Sequence, residues 1–103
     1  MRYVPAMQEP TRADRIRAAL SAAFSPSLLR VVDDSAQHAG HAGAQPGGET
    51  HYSVLLVAQS LEGVGRVARY RAVHDVLAPE FAAGLHALSL TLRTPGEHAQ
   101  TTR

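Results

Sequence analysis

The amino-acid sequence predicts a small α+β domain in which helices pack on a mixed three-stranded sheet. Apolar residues recur at i, i+3, i+4, i+7 and i+8 from Ile16 to Phe24, which indicates an amphipathic helix. Two apolar strands follow at 28–33 and 50–59, and a second helix leads to a third strand at 85–92. The second strand alternates little, so we expect it to be covered on both faces. The order α-β-β-α-(α)-β favours antiparallel pairing of the first two strands and, across the helical connection, parallel pairing of the last two.

Capping residues and a proline indicate where the helices begin and end. Thr11, followed three residues later by Asp14, forms a capping-box pattern, and Pro26 ends the first helix. The second helix is expected over 66–77, with a short helical turn to follow at 79–84. Its predicted inward stripe consists of Val67, Tyr70, His74 and Leu77, flanked by Val73 and Val76.

The folded domain is expected to span residues 11–95. Residues 1–10 carry two prolines and no apolar periodicity, which predicts a flexible N-terminal tail. The chain becomes polar after the third strand, and 96–103 is predicted to be a flexible C-terminal tail.

Composition limits the chemistry that this chain can perform. The 103 residues include no cysteine, so disulfides, thiolate nucleophiles and cysteine-only metal sites cannot form within the chain. No apolar run approaches the length of a membrane span or a secretory signal core, and a cytoplasmic protein is expected. No Ser/His/Asp triad or paired carboxylates stand out, so the chain is not expected to be an enzyme.

A long connection rich in glycine and histidine separates the first two strands, at 33–52. It holds three of the six histidines, His38, His41 and His51. Ordering such a connection costs backbone entropy, and a simple link is usually shorter. If the last two strands are parallel, their first residues share one sheet edge, where His51 and His86 lie. His38, His41, His51 and His86 are then expected to converge there.

Each histidine has a structural alternative to a metal-binding role. Neutral imidazole binds zinc, copper and iron, and His38 with His41 forms an H-x2-H pair, but solvent-exposed loop histidines follow the same spacing. His51 is as well explained as a structural residue whose hydrogen bonds hold the end of the connection. His86 is a candidate ligand or a core-edge histidine satisfied by the backbone.

A local cluster of arginines follows the turn Gly63-Val64-Gly65. Arg66, Arg69 and Arg71 lie at the start of the second helix, where a helix N-terminus and guanidinium groups can hold phosphate. A solvated basic helix face gives the same pattern. The net charge of only +1 does not predict strong binding to nucleic acid.

Several motifs in order and at matching spacing resemble the BolA family, from about residue 16 to residue 95. They are D-D-S-x-x-H at 33–38, G-G-E-T-H-Y at 47–52, R-V-A-R-Y-R at 66–71, L-H-A-L-S-L at 85–90 and T-P at 94–95. The resemblance implies the fold αββααβ, similar to a class II KH domain, with the last two strands parallel.

The resemblance also implies a function. BolA-like proteins partner monothiol glutaredoxins, and together they hold a [2Fe–2S] cluster in iron–sulfur cluster trafficking and iron regulation. The thiolates come from the glutaredoxin and glutathione, and histidines come from the BolA side. By position, the metal ligands here correspond to His86 and His38, with His41 and His51 as alternates. The protein alone is then expected to hold no cofactor and to be a monomer or weak homodimer.

The alternative implied by the resemblance is a DNA-binding regulator of stress response and cell morphology that uses the KH-like face. Its candidate contacts are Arg66, Arg69 and Arg71. Departures from the family pattern fall in this region, with Tyr70 for a histidine, Leu61 for an aromatic residue and Gly65 for a serine. DNA binding is therefore the second of the two functions.

Overall fold

The computed structural model of the chain describes residues 10–34 and 50–101. In these residues the chain forms four helices and three strands: α1 (Arg12–Phe24), β1 (Leu28–Asp33), β2 (His51–Val57), α2 (Arg66–Val76), α3 (Ala78–Ala82), β3 (Ala87–Arg93) and α4 (Pro95–Thr101). A single 3-10 turn, Gln59–Leu61, follows β2. The predicted α+β class is confirmed.

The three strands form one mixed sheet in the order β1-β2-β3. β1 pairs antiparallel with β2, and β2 pairs parallel with β3, as the sequence predicts. β1 has the predicted bounds, whereas β3 begins at Ala87 rather than at residue 85. His86 therefore lies immediately before the strand, and His51 is the residue opposite Ala87.

The core lies between the helices and one face of the sheet. Tyr52, Val54 and Leu56 of β2 are buried there, whereas Ser53 and Leu55 are only half-buried. The expectation that β2 is covered on both faces is therefore wrong for the centre of the strand, where burial alternates with the period of two that a sheet packed on one face produces. At the ends of the strand, His51 and Val57 are buried on the other face.

α1 forms as its sequence predicts. The Thr11 hydroxyl accepts a hydrogen bond from the Asp14 N–H, and the Asp14 carboxylate accepts one from the Thr11 N–H, each at 3.1 Å. The helix ends at Ser25, whose φ of 49° places it in the left-handed region. Ile16 and Leu20 carry the apolar face and are fully buried in the core.

α2 has a different inward face from the predicted one. Val67 is 62% exposed, Tyr70 is 41% exposed and His74 is exposed, whereas Arg69 and Val73 are buried. The prediction that Val67, Tyr70 and His74 face inward is therefore wrong, whereas the same prediction for the buried Leu77 is confirmed. Arg69 can occupy an inward position because its guanidinium finds acceptors on neighbouring elements, and this lowers the cost of burying a charge.

The predicted C-terminal tail, 96–103, is wrong over the residues that form α4. Thr94 and Glu97 form a second capping box: the Thr94 N–H donates to Glu97 Oε1 at 2.8 Å, and the Glu97 N–H donates to Thr94 Oγ1 at 3.2 Å. Pro95 occupies the first helical position, where a missing N–H costs nothing. The predicted N-terminal tail lies outside the described residues, apart from Pro10.

Candidate functional site

His51 and His86 meet at one edge of the sheet. The parallel pairing of β2 and β3 brings the first residues of both strands together, and the two imidazole ring centroids are 5.1 Å apart with an interplanar angle of 50°. His51 is buried and His86 is exposed. The predicted meeting of these two histidines is confirmed, and the exposed His86 ring is accessible from solution.

Backbone hydrogen bonds tie the end of the long connection to His86. The N–H groups of His86 and Ala87 both donate to the Thr50 carbonyl, at 2.8 and 3.1 Å. At the other end, the Asp34 N–H donates to the His51 carbonyl at 2.8 Å, and the Asp34 carboxylate accepts a hydrogen bond from the Ser53 hydroxyl. The connection therefore leaves the sheet beside His51 and rejoins it beside His86.

The side chain of His51 is held by its neighbour. Its Nδ1 lies 2.9 Å from the hydroxyl of Thr50, which is itself buried. A metal on His51 would therefore bind through Nε2, with Nδ1 carrying the proton and donating to Thr50. This contact fits the structural role that the sequence suggested for His51, and it leaves His86 as the exposed imidazole of the pair.

The turn before His86 is fixed by a cluster of charged side chains. Glu80 of α3 accepts hydrogen bonds from Arg12 Nε at 3.1 Å and Arg15 Nε at 2.8 Å, and Arg12 Nη2 donates to the Ala83 carbonyl at 2.9 Å. The hydrogen bond from Arg15, with Arg12 after it, holds the pKa of Glu80 below its ordinary value. Gly84 follows with a φ of +120°, a conformation that favours glycine. We call Arg12, Arg15 and Glu80 the charged clamp.

His38 and His41 lie outside the described residues. Within the described part of the chain, no group of three or more histidine and acidic side chains is arranged to hold a metal ion. The edge therefore supplies His86, with His51 beside it.

Arg69 is committed to internal contacts. Its guanidinium forms a two-bond ion pair with Glu97, at 2.7 and 3.2 Å, and also donates to the carbonyls of Val64 and Leu92. The hydrogen bonds from Arg69 and from the Thr94 backbone lower the pKa of Glu97 to about 2, and the Glu97 carboxylate raises the pKa of Arg69. The predicted nucleic-acid contact at Arg69 does not fit this arrangement, because the buried guanidinium already links α2, β3 and α4.

Arg66 and Arg71 are exposed on α2 as predicted. Arg66 lines a cleft of about 510 Å³ that lies between α2, β3 and α4. Arg93 at the end of β3 also lines it, a residue that the sequence analysis did not single out. The sequence analysis missed the charged clamp because periodicity treats arginine as an outward residue, although Arg12 lies four residues before Ile16 on the buried side of α1. Glu97, which was also missed, had a signal in the sequence, the T-P-G-E capping box.

The order of elements is the predicted αββααβ with α4 added at its end, and a histidine pair lies where the two parallel strands begin. A family model described as BolA-like protein matches residues 20–97. The chain belongs to the BolA family, as its motifs predict.

Relatives and solved structures agree with the assignment to the BolA family. A protein from a cobS 5' region of a Sinorhizobium species is 46% identical over 88 residues, which cover 82% of this chain and 91% of that protein. Protein BOLA1 of Arabidopsis thaliana, described as chloroplastic, is 43% identical over 84% of this chain. The BolA domain of SufE1 from the same plant superposes with a TM-score of 0.77 at 40% identity, covering 87% of this chain and 99% of that domain.

The relatives differ in length. This chain spans 55% of the BOLA1 protein and 24% of the SufE-like protein 1 of Arabidopsis thaliana, so it corresponds to one part of each. In residues 10–34 and 50–101, none of the helices has both the length and the apolar character needed to cross a bilayer.

Proposed function

We propose that this BolA-family chain is an adaptor that binds a monothiol glutaredoxin and shares a [2Fe–2S] cluster with it. The observation that carries the proposal is the exposed imidazole of His86, 5.1 Å from the His51 ring, where the long connection rejoins the sheet. His38 on that connection is the second ligand, with His41 and His51 as alternates. The adaptor then acts in cluster trafficking or in iron and redox regulation, without catalysing a reaction itself.

The donor chemistry fits such a shared site. The chain has no thiol, so the thiolates would come from the glutaredoxin and glutathione and the imidazoles from this chain. Two histidines in place of two cysteines on one iron raise the reduction potential of a [2Fe–2S] centre above that of an all-thiolate one. A ligand set divided between two proteins predicts that the adaptor alone, a monomer or weak homodimer, holds no cluster. A cytoplasmic location stays a prediction from the sequence.

The test mixes the protein with cluster-loaded monothiol glutaredoxin and follows visible absorption and circular dichroism. We expect a new spectrum for the mixed complex. His86→Ala and His38→Ala should each abolish or strongly alter it, because each removes an imidazole from iron. Unchanged spectra in both variants would contradict the assignment of these ligands.

A matched control separates ligation from general damage. His98 lies on α4, beyond the opposite end of β3, so His98→Ala should leave the mixed spectrum as it is. His51→Ala distinguishes the alternates: a structural His51 should lower stability and shift the spectrum less than His86→Ala does. If His41→Ala alters the spectrum and His38→Ala does not, His41 is the ligand on the connection.

A second candidate function, DNA binding, rests on the exposed guanidinium groups of Arg66 and Arg71. It predicts an affinity that falls with salt, with a slope of about −0.9 in log–log form for each phosphate contacted on duplex DNA. Replacing both arginines with glutamine should weaken binding. It should also bring the salt slope closer to zero by up to the amount that two phosphate contacts contribute. Affinity that is indifferent to salt and to both substitutions would rule this function out.

A further inference from the structure

One edge of the sheet is open. β3 is the last strand in the order β1-β2-β3, so a neighbour lies on one side of it only. The Ala87 N–H donates to the Thr50 carbonyl just before β2, and the Arg93 carbonyl accepts from the Ala58 N–H just after β2. The backbone groups of these two odd-numbered residues therefore point toward β2. Because backbone groups alternate in direction along a strand, those of the even-numbered residues point outward. These are Leu88, Leu90 and Leu92.

The outward carbonyls and the outward N–H groups differ in their partners. The Leu92 carbonyl accepts from Arg69 Nη1 at 3.2 Å, and the Leu90 carbonyl accepts a long hydrogen bond from the Tyr70 hydroxyl at 3.4 Å. Across residues 10–34 and 50–101, no side chain or loop accepts a hydrogen bond from the outward N–H of Leu88 or Leu90. An edge with free donors is a template for an added strand.

The cleft of about 510 Å³ beside this edge has a positive lining. Its walls are Arg66 and Tyr70 of α2 and Gln100 and Thr101 of α4. The one carboxylate in the lining, Glu97, is neutralised by its ion pair with Arg69.

Two arginines of the lining keep their charge uncompensated. Arg66 is exposed, and Arg93 bonds through Nη1 to the His98 ring at 3.2 Å. Neither forms an ion pair with any residue that the structure describes. The cleft therefore favours an anionic ligand.

We propose that this cleft binds an extended acidic peptide segment, which adds to the open edge of β3 as a fourth strand. The outward N–H groups of Leu88 and Leu90 are two residues apart, a spacing that the carbonyls of an extended peptide match, and the outward carbonyl of Leu88 can accept from a peptide N–H. The Leu90 and Leu92 carbonyls keep their hydrogen bonds from Tyr70 and Arg69. Carboxylates on the added strand would pair with Arg66 and Arg93. A second copy of this chain fits less well, because β3, Ala87–Arg93, has no acidic residue and the copy would bring its own arginines to a positive cleft.

This binding goes beyond the shared-cluster proposal and does not depend on it. His86 lies before the first residue of β3, whereas the cleft is lined by Leu90, Thr91, Leu92 and Arg93 toward the other end. Binding at the two places is therefore separable by mutation.

The experiment titrates the full chain against a fluorescein-labelled hexapeptide of alternating valine and glutamate and follows anisotropy at low salt. We expect saturable binding. A peptide of alternating valine and lysine should bind at least tenfold more weakly, because it reverses the charge. N-methylation of the backbone positions that face β3 should weaken binding about tenfold or more, because it removes N–H donors and adds steric clash.

Protein variants and spectra complete the test. Arg66→Gln with Arg93→Gln should raise the dissociation constant about tenfold, whereas Arg30→Gln on β1, an exposed arginine at the far edge, should leave it unchanged. In nuclear magnetic resonance spectra, the amide protons of Leu88 and Leu90 should shift and exchange more slowly when the peptide binds.

Three results would overturn the proposal. Equal binding of the N-methylated peptide would mean that charge alone attracts the ligand. Tight binding of labelled hexathymidylate through the same two arginines, without peptide binding, would make the cleft a nucleic-acid site. A homodimer that protects the Leu88 and Leu90 amides without peptide would make the edge a self-association surface.

Discussion

Replacing Glu80 with alanine is expected to lower the free energy of unfolding by about 3 kcal/mol, and burial decides this magnitude. The side chains of Glu80 and Arg12 are only 12% and 11% exposed, so the substitution takes a carboxylate from a buried guanidinium. Arg15 is 41% exposed, and a pair of that kind contributes about 0–1 kcal/mol. Arg15 has the larger influence on the pKa of Glu80, but an exposed guanidinium regains water when the carboxylate is removed, so most of the loss is assigned to the buried Arg12.

The assay is thermal and urea unfolding of three single variants at neutral pH. For a domain of this size, about 3 kcal/mol corresponds to a fall in Tm of roughly 12–20 °C. Arg12→Gln should cost about 2–3 kcal/mol, and Arg15→Gln should cost less than about 1 kcal/mol. Glu62→Ala, in an exposed turn, is the matched control and should change Tm little.

The result that refutes this reasoning is equal destabilisation by Arg12→Gln and Arg15→Gln, because burial would then not determine the contribution. The charged clamp should also affect the proposed cluster binding, because Arg12 donates to the Ala83 carbonyl three residues before the candidate ligand His86. A Glu80→Ala protein that remains folded at low temperature should give a weaker mixed-cluster spectrum than the native chain.

Three further predictions concern the rest of the fold. The folded-state pKa of Glu97 is about 2, below its ordinary value of 4.5, so its pairing with Arg69 stabilises the protein above about pH 4.5, and this contribution is lost as pH falls toward 2. The difference in Tm between native chain and Glu97→Gln should therefore shrink across that window; a constant difference from pH 7 to pH 2.5 would contradict the ion pair. Gly84→Ala should destabilise by about 1–2 kcal/mol because of its φ of +120°, whereas Gly96→Ala in α4 should be neutral or stabilising by up to about 1 kcal/mol, as urea unfolding would report. Leu20→Ala should cost about 3 kcal/mol in the same measurement, because Leu20 is fully buried; a loss under 1 kcal/mol would mean that the core collapses around the cavity.

Local signals in the sequence were sufficient for much of the fold. The capping box of Thr11 and Asp14 determines where α1 begins, and the alternation of strand and helical patterns is enough to predict the parallel pairing of β2 and β3. That pairing in turn predicted the meeting of His51 and His86, because parallel strands begin at the same edge.

The errors have different physical causes. Periodicity treats arginine as an outward residue, but Arg69 turns inward because Glu97, Val64 and Leu92, which are distant in sequence or on other elements, supply its acceptors. α4 was predictable from its Thr94–Glu97 capping box, which the polar composition of the segment obscured. The charged clamp was not predictable, since nothing local to Arg12 indicates that Glu80 lies beside it.

The backbone hydrogen bonds at Asp34 and Thr50 have a consequence for how this protein can vary. They fix the residues on either side of 35–49: the Asp34 N–H donates to the His51 carbonyl, and the Thr50 carbonyl accepts from the N–H groups of His86 and Ala87. The pairing of the strands therefore sets the distance between the two ends of this segment. His86 is held by its own backbone bond to Thr50 and by the turn before it. A substitution between 35 and 49 that keeps these backbone bonds should therefore leave the His86 imidazole at the same place on the sheet edge.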